Sequence, residues 1–319
     1  MKLPKHLCGL AAAFLLTLPA VAQAPPAPDA NDPDAVLVEE LVVTARDRGP
    51  AWWRVSNGVS TVYVLGVPSS MPKGLAWDDA VLERRLNGAN RVILPFNNVG
   101  VGVLGAAGVL FDLARMKSGT PIENTLDPTL KARFVAARTR IGQPAKRYAL
   151  KNGLAAGILL VADYRDAAHI TAADPAKTIA RMAKARKLKT ETKIYPLGPI
   201  MGAALRTSPA AQRACLDDAL DEVEAGEASS RRAAQAWAEG EVRAALGGER
   251  GYEKCLNSAP GAGDLDARLK ADQAAAIAAA LKQPGHAVAV VQLRPLLAQG
   301  GVLDRLRAQG FTVKTPGEE

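Results

Sequence analysis

Residues 52–66 read Trp52-Trp-Arg-Val-Ser-Asn-Gly-Val-Ser-Thr-Val-Tyr-Val-Leu-Gly66, two strand-like runs with a turn between them. The runs at 52–55 and 61–66 are rich in β-branched and aromatic residues, and Ser56-Asn57-Gly58 separates them. An Asn-Gly pair between such runs is a strong signal for a β-hairpin, because both residues tolerate the positive φ angles of a tight turn. This stretch therefore predicts the start of a β-sheet.

In the rest of the chain, strand signals cluster toward both ends, and helical signals fill the middle. Asp-Pro pairs at 127–128 and 174–175 are typical helix starts, because the Asp side chain caps the helix and Pro is tolerated in its first turn. The pattern predicts an α/β fold with a central mixed β-sheet built from the N- and C-terminal halves, flanked by helices and carrying a mainly helical insert. The remaining strand candidates are 91–94, 193–197, 287–291 and 311–314, and the helix candidates are 78–86, 150–168, 175–189, 209–246, 265–281 and 301–308.

The composition is that of a folded protein with a basic excess. Of 319 residues, 48% are hydrophobic and 23% are charged, which excludes disorder over the full length. The formal net charge of +8 is compatible with anionic partners without being specific for them. The basic run at 181–193 lacks interleaved aromatic residues, so we expect no nucleic-acid partner.

The N-terminus has the features of an export signal. Lys2 and Lys5 precede a nearly continuous apolar run at 7–18, and Ala20-Val-Ala22 has the small residues of a cleavage site. We predict a signal peptide over 1–22 and a periplasmic protein, with secretion as the alternative. Neither this run nor the glycine-rich apolar run at 99–113 is long enough for a stable transmembrane span, which needs about 20 residues.

Residues 23–50 begin with Ala-Pro repeats and predict a flexible or extended tether in front of a folded domain at 51–316. Within it, Val38-Glu-Glu-Leu-Val-Val-Thr-Ala45 is either a loose edge strand or simple linker, or a contact site for TonB. The second reading rests on its resemblance to the TonB box of outer-membrane receptors, which binds the periplasmic energy transducer by strand addition.

Two cysteines and two histidines remain after the predicted signal peptide is removed. Cys215 and Cys255 form either a disulfide, as an oxidising compartment would favour, or two separately buried thiols. His169 and His286 are too few for a histidine-rich metal site. A Ser69–His286 catalytic pair is disfavoured, because His286 enters its predicted strand at the end opposite to Ser69.

Four motifs in order resemble the TraB/GumN family, whose animal relatives are the Tiki metalloproteases. The first is the opening hairpin, 53–66, and the resemblance extends from residue 52 to residue 314. The other three are Pro72-Lys-Gly-Leu-Ala-Trp77, Ala236-Trp-Ala-Glu-Gly-Glu-Val-Arg-Ala-Ala-Leu246 and Gly301-Val-Leu-Asp-Arg-Leu-Arg-Ala-Gln-Gly-Phe-Thr-Val313.

The resemblance implies a metal-dependent peptidase or hydrolase. The family has a Gly-x-x-His at the end of an early strand, a Glu at the end of the next strand and a second Gly-x-x-His near the C-terminus. Two imidazoles and a carboxylate can hold a divalent metal such as Mn, Co or Zn with an open position, where the metal activates a water molecule.

This sequence departs from that pattern at each of the three places. Ser69 ends the first motif, Pro95 replaces the Glu, and Gln292 and Pro295 replace the Gly and His of the last motif. No His, Asp or Glu lies between residues 288 and 303, so a shift in the alignment does not restore a ligand. We therefore predict no catalytic residue and no bound cofactor or metal, and we place a degenerate cleft at Gly66, Ser69, Ser70, Pro95, Phe96, Asn97, Gln292, Arg294 and Pro295.

The resulting prediction is an exported pseudoenzyme of this family that binds or regulates a peptide, glycan or protein partner. One alternative is an active metal-dependent peptidase or hydrolase with relocated ligands. The other is a periplasmic protein that contacts TonB through residues 38–45.

Overall fold

The computed structural model describes residues 32–45, 48–96, 98–100, 119–171 and 174–318. The predicted signal peptide, nearly all of the apolar run at 99–113 and Asn97 lie outside these ranges. Within them, no helix is both long and apolar enough to cross a membrane.

Ten strands form one six-stranded sheet and two small two-stranded sheets in the described part of the chain. The large sheet has the order β10-β1-β2-β9-β4-β7, and the small sheets pair β3 with β6 and β5 with β8. The strands are β1 (Trp52–Ser56), β2 (Ser60–Val67), β3 (Met71–Pro72), β4 (Arg91–Ile93), β5 (Asn98–Gly100), β6 (Ile170–Thr171), β7 (Lys189–Glu191), β8 (Ile194–Pro196), β9 (Gly285–Gln292) and β10 (Thr312–Lys314).

Twelve α-helices lie between the strands in the described part of the chain, and most of them are in its middle. In chain order they are α1 (Ala80–Leu86), α2 (Pro128–Arg140), α3 (Gly153–Ala167), α4 (Asp174–Ala185), α5 (Leu197–Ala204), α6 (Pro209–Ala225), α7 (Glu227–Ala238), α8 (Val242–Ala245), α9 (Gly251–Asn257), α10 (Ala262–Ala280), α11 (Leu293–Leu297) and α12 (Val302–Ala308). The predicted cap of α2 is confirmed: the Asp127 side chain accepts hydrogen bonds from the main-chain amides of Thr129 and Leu130.

The opening hairpin forms as predicted, and the sheet is mixed. β1 and β2 pair antiparallel, and the side chain of Asn57 accepts hydrogen bonds from the main-chain amides of Val59 and Ser60 in the turn. β2 pairs parallel with β9, and β9 pairs parallel with β4, so a C-terminal strand lies between two N-terminal ones. The predicted sheet built from both halves of the chain is confirmed, and the carboxyl ends of β2, β9 and β4 lie along one edge.

The sequence predicts the strand at 193–197 correctly but misses one strand of the large sheet. The chain contributes 189–191 to the large sheet as β7, whereas the predicted strand at 193–197 corresponds to β8, which pairs with β5 instead. The helix predicted over 175–189 ends at Ala185, and Lys187 has a φ of +56°. β7 was missed because it is short and mostly exposed, so it lacks the alternating apolar pattern of a half-buried strand.

Two large hydrophobic clusters and a small third one, which contains Cys215 and Cys255, stabilise the described part of the chain. The larger cluster surrounds the six-stranded sheet and includes the fully buried Trp53, Val64, Val290 and Ile277. The second lies in the helical insert among α2, α3 and α6, where Phe134 and Tyr148 pack edge to face. A disulfide between Cys215 of α6 and Cys255 of α9 lies beside this second cluster.

Residues 32–45, which we call the N-terminal strap, pack against the domain. Leu41 is fully buried in the larger cluster, and its main-chain oxygen accepts a hydrogen bond of 3.2 Å from Nε1 of Trp53. β-bridges join Leu37 to Ala298 and Thr44 to Glu241. The composition suggests a loose tether here, but burial of Leu41 and Val42 fixes this part of the chain.

Candidate functional site

A cleft opens at the carboxyl edge of β2 and β9. β2 continues into Pro68, Ser69 and Ser70, while β9 ends at Gln292 opposite Val67. The facing wall comes from the chain between α7 and α9, including Leu246, Arg250 and Glu253, and from Asp34 of the strap. Of the residues predicted from the sequence, the cleft brings together Ser69, Ser70, Gln292, Arg294 and Pro295.

The cleft is small in this conformation. Its volume of about 50 Å³ corresponds to room for a few water molecules. Sites for drug-sized ligands measure roughly 300–1,000 Å³. Because Asp34 forms part of the lining, the strap itself narrows the cleft.

Gly66 lies beneath the cleft and is a structural residue. Its main-chain oxygen accepts a hydrogen bond of 2.7 Å from Nε1 of Trp237. A Cβ atom at this position would lie 2.5 Å from Cδ1 of Leu293 and 3.1 Å from the ring of Trp53. Glycine here lets α11 approach β2 closely, so that Arg294 can reach the cleft.

Pro95 and Phe96 are not part of this cleft; both are buried at the neighbouring gap, between the ends of β4 and β9. Gln273 of α10 closes that gap with its side-chain amide. Its Oε1 accepts a hydrogen bond of 2.8 Å from the main-chain amide of Phe96, and its Nε2 donates to the main-chain oxygens of Leu94 (3.3 Å) and Val290 (3.4 Å). The position predicted to carry the family's Glu is thus occupied by proline beside a satisfied, buried amide.

Arg294 places a positive charge in the cleft. Its guanidinium donates a hydrogen bond to the main-chain oxygen of Leu246. Burial, and then the nearby charge of Arg250, lower the pKa of Arg294 to about 10, while Asp32, Asp34 and Glu253 act in the opposite direction. At neutral pH the side chain is still protonated, so the cleft contains a half-buried cation that is only partly compensated.

The strap supplies two carboxylates to this region. Both side-chain oxygens of Asp32 accept hydrogen bonds from Arg250, one of them at 2.8 Å. Nζ of Lys270 lies 2.5 Å from Oδ1 of Asp34 and 2.7 Å from Oδ2 of Asp266. The side chains of Asp32 and Lys270 are 3% and 4% exposed, so these are buried ion pairs.

The side chains at the cleft do not fit a divalent metal. Ser69, Pro95 and Pro295 stand at the three positions where the family resemblance implies ligands, and proline has no side-chain lone pair to donate. The three carboxylates that line the cleft are engaged elsewhere: Asp34 with Lys270, Glu249 with Ser229 and Glu253 with Arg165. Across the described ranges, no three His, Cys, Asp or Glu side chains are grouped so that they could hold a metal ion.

A serine–histidine pair is not formed. His286 pairs with Thr61 near the start of β2, whereas Ser69 follows the end of that strand. The His286 ring instead hydrogen-bonds the main-chain oxygen of Arg85 at 2.9 Å. The two residues therefore lie at opposite ends of the sheet, as the sequence predicts.

The segment that resembles a TonB box is part of the strap. The main-chain amide of Val38 donates to the oxygen of Leu297, and that of Ala45 donates to the oxygen of Gly240. Strand addition to a partner would have to break these bonds. Contact with TonB stays a prediction.

Five residues of the cleft, its surroundings and the neighbouring gap were not predicted from the sequence: Asp32, Asp34, Arg250, Lys270 and Gln273. They come from the strap, the start of α9 and α10, and no local pattern relates their positions. An acidic pair in a Pro-rich segment was the one available signal, and it resembles ordinary linker composition.

The match to a family model agrees with this arrangement. The model of the TraB/PrgY/gumN family matches residues 51–315, from the opening hairpin through β10. No curated protein and no solved structure matches the chain. Because the match covers most of the chain, the protein belongs to the TraB/PrgY/gumN family.

Proposed function

We propose that this protein is an exported, non-catalytic member of its family that binds a ligand in the cleft at the ends of β2 and β9. The observation that carries the proposal is the pair of guanidinium groups of Arg250 and Arg294 beside the positions where the family resemblance implies metal ligands. Arg250 is paired with Asp32, whereas Arg294 hydrogen-bonds only a main-chain oxygen among its described contacts, so Arg294 favours an anionic group, and both guanidinium groups oppose a divalent cation.

The chemistry of the neighbouring side chains supports binding over hydrolysis. Metal-assisted hydrolysis needs lone pairs that hold the cation and leave a position for water. Ser69 and Ser70 supply hydroxyl groups, and Gln292 supplies an amide, all of which hydrogen-bond ligands without activating water strongly. The cleft is thus suited to hold an anionic or polar group.

Export is supported by the N-terminal sequence and by the disulfide. The pattern at residues 1–22 is typical of a cleaved signal peptide. A disulfide between α6 and α9 is the kind of bond that persists in oxidising compartments such as the periplasm.

The test is to measure metal content and peptide hydrolysis with the purified chain lacking residues 1–22. After incubation with Mn²⁺, Co²⁺ or Zn²⁺ and removal of free metal, we expect much less than one metal ion per chain. Mass spectrometry of a mixed peptide library should show no cleavage above that of metal and buffer alone.

Ser69→Ala serves as the matched variant, since it removes the side chain at the first ligand position while retaining the fold. We expect the same low metal content and the same absence of cleavage as for the unsubstituted chain. One tightly bound metal ion per chain, with peptide cleavage that chelation abolishes, would overturn the proposal.

A further inference from the structure

We propose that Arg250, Lys270 and Arg294 form a binding site for the carboxylates of an acidic peptide, and that Asp32 and Asp34 of the strap occupy it in the structure. This inference rests on the proposed function, because it names the ligand of the same cleft. The strap is then an internal competitor that an external peptide must displace.

The three cations come from separate elements and meet at one place. Arg250 precedes α9, Lys270 lies in α10 and Arg294 lies in α11. The side chains of Arg250 and Lys270 are 13% and 4% exposed, respectively, although Arg and Lys are seldom this buried unless they are paired. Lys270 retains Asp266 when the strap leaves, whereas Arg250 loses the bidentate carboxylate of Asp32.

Arg250 therefore needs a new partner when the strap leaves, and a carboxylate is the partner that restores its charge balance. A buried guanidinium without a counter-charge is strongly unfavourable, so departure of Asp32 must be coupled to arrival of another carboxylate or to entry of water. Arg250 and an incoming carboxylate can pair bidentately, as Arg250 and Asp32 do. Arg294 adds a second cation whose charge is incompletely balanced even with the strap in place.

The way in which the strap binds indicates that the ligand is a peptide. The main-chain amide of Val38 donates to the oxygen of Leu297, and the amide of Gln299 donates to the oxygen of Val36. The side chain of Leu41 fills an apolar pocket in the larger cluster. Main-chain pairing, an apolar pocket and a charged site are the elements by which grooves recognise extended peptides.

The spacing in the strap defines the expected ligand. Two carboxylates two residues apart contact Arg250 and Lys270, and an aliphatic residue seven positions after the second carboxylate enters the apolar pocket. We expect affinity for peptides with two acidic residues in this spacing followed by a leucine-like residue. The covalently attached strap competes at a local concentration that is roughly millimolar for a short linker.

The experiment measures binding of a synthetic peptide with the sequence of residues 32–45 to the chain lacking residues 1–22. The peptide carries a fluorescent label, and a second peptide has Asn at its first and third positions. The variant Asp32→Asn/Asp34→Asn weakens the attached strap and should bind the acidic peptide at least about tenfold more tightly than the unsubstituted chain. The Asn peptide should show no such gain.

Two further variants separate the site from general charge effects. Glu39→Gln/Glu40→Gln changes the charge of the strap equally at exposed positions outside the cleft. Glu39 pairs with Arg243, but a pair this exposed contributes at most about 1 kcal/mol, so binding should stay close to that of the unsubstituted chain. Adding Arg294→Met to Asp32→Asn/Asp34→Asn should reverse the gain in affinity by about tenfold, since one cation of the site is lost.

Hydrogen exchange provides a readout on the unsubstituted protein, should a variant fail to fold. Excess acidic peptide should speed exchange of the main-chain amides in residues 35–45, because the strap is displaced, while the exchange of β2 and β9 stays unchanged. Equal peptide affinity of all variants, together with unchanged exchange of the strap, would overturn the inference.

The outcomes for the two proposals remain distinguishable. Metal-dependent cleavage of the bound peptide would overturn the proposed lack of catalysis and leave the carboxylate site standing. Absence of peptide binding without any metal-dependent cleavage would overturn the carboxylate site alone.

Discussion

Gln273 shows how one buried side chain closes a sheet edge where the strands separate. It is 4% exposed, and its amide satisfies one donor and two acceptors on the main chain of β9 and of the segment that follows β4. A carboxylate in its place would accept from Phe96 but would face two main-chain oxygens without a proton to donate. Position 273 therefore requires a side-chain amide, which both donates and accepts hydrogen bonds.

We expect Gln273→Ala to lower the free energy of unfolding by about 2–4 kcal/mol, because three main-chain groups lose their partner in a buried place. Chemical denaturation followed by tryptophan fluorescence measures the change. Gln273→Glu retains the size of the side chain and should also lower the free energy of unfolding. This decrease should become smaller at low pH, because the carboxyl group is then protonated and can donate a hydrogen bond. Equal stability of Gln273→Glu and the unsubstituted chain at neutral pH would contradict this role.

At the residue scale, the sequence predicted positions that belong to an ordered motif. Ser69, Gln292 and Pro295 were found because their distance from Gly66 or Gly301 fixes them at strand ends. Arg250 and Lys270 were not found, since each is an ordinary basic residue on a helical segment. Their role depends on contacts with Asp32 and Asp34 of the strap, which are distant in sequence and leave no local pattern.

The contact between α6 and α9 depends on a glycine. Gly251 begins α9, and a Cβ atom there would overlap the main-chain oxygen of Asp218 and lie 2.8 Å from Cβ of Glu222. The main-chain amide of Tyr252 donates to Glu222 at 2.8 Å, so the two helices are joined by a hydrogen bond at the same place. Because the oxygen of Asp218 belongs to the main chain, it cannot rotate away from a Cβ atom as a side chain could.

We expect Gly251→Ala to destabilise the protein by about 1–3 kcal/mol through separation of the two helices. Gly263, near the start of α10, is the matched control, since nothing lies within 4 Å of a Cβ atom there. Gly263→Ala should be neutral or stabilising by up to about 1 kcal/mol, because alanine favours the helix. Thermal denaturation measures both, and similar effects of the two substitutions would refute the proposed close approach.

At the element scale, local patterns predicted the elements that have strong periodicity or caps. The hairpin β1–β2 has an Asn-Gly turn, and α2 has an Asp-Pro start, so both were located well. β7 and the strap were missed for opposite reasons. β7 is exposed although it belongs to the large sheet, and the strap is packed although its neighbourhood is rich in proline.

The whole molecule consists of a sheet half and a helical insert, each with its own hydrophobic cluster. All four tryptophans, Trp52, Trp53, Trp77 and Trp237, lie in or against the cluster of the sheet half. The disulfide closes a 40-residue separation beside the cluster of the insert. Tryptophan fluorescence therefore reports on the sheet half, whereas far-ultraviolet circular dichroism reports on the helices of both parts.

We expect Cys215→Ala/Cys255→Ala to destabilise the insert by about 3–4 kcal/mol, as the loop-entropy model gives for a closed loop of this length. Unfolding followed by circular dichroism should then precede unfolding followed by tryptophan fluorescence. In the disulfide-bonded protein the two curves should lie closer together. A variant with coincident curves at the original midpoint would contradict the division into two clusters.

For the molecule as a whole, the sequence predicted the fold class because most strand signals clustered toward the two ends of the domain. It could not predict how residues 32–45 lie, because burial of Leu41 depends on a pocket formed by distant elements. The split of the predicted cleft into two gaps has the same origin, since Gln273 reaches the sheet from a helix about 180 residues after Pro95.

The two outermost strands of the six-stranded sheet determine how it meets other molecules. β10 and β7 are three residues long, and each carries a lysine, Lys314 and Lys189. Strands this short offer little hydrogen-bonding length to a foreign strand, and a lysine side chain at the edge makes its pairing less favourable. Growth of the sheet by edge-to-edge association into aggregates is thereby discouraged at both margins.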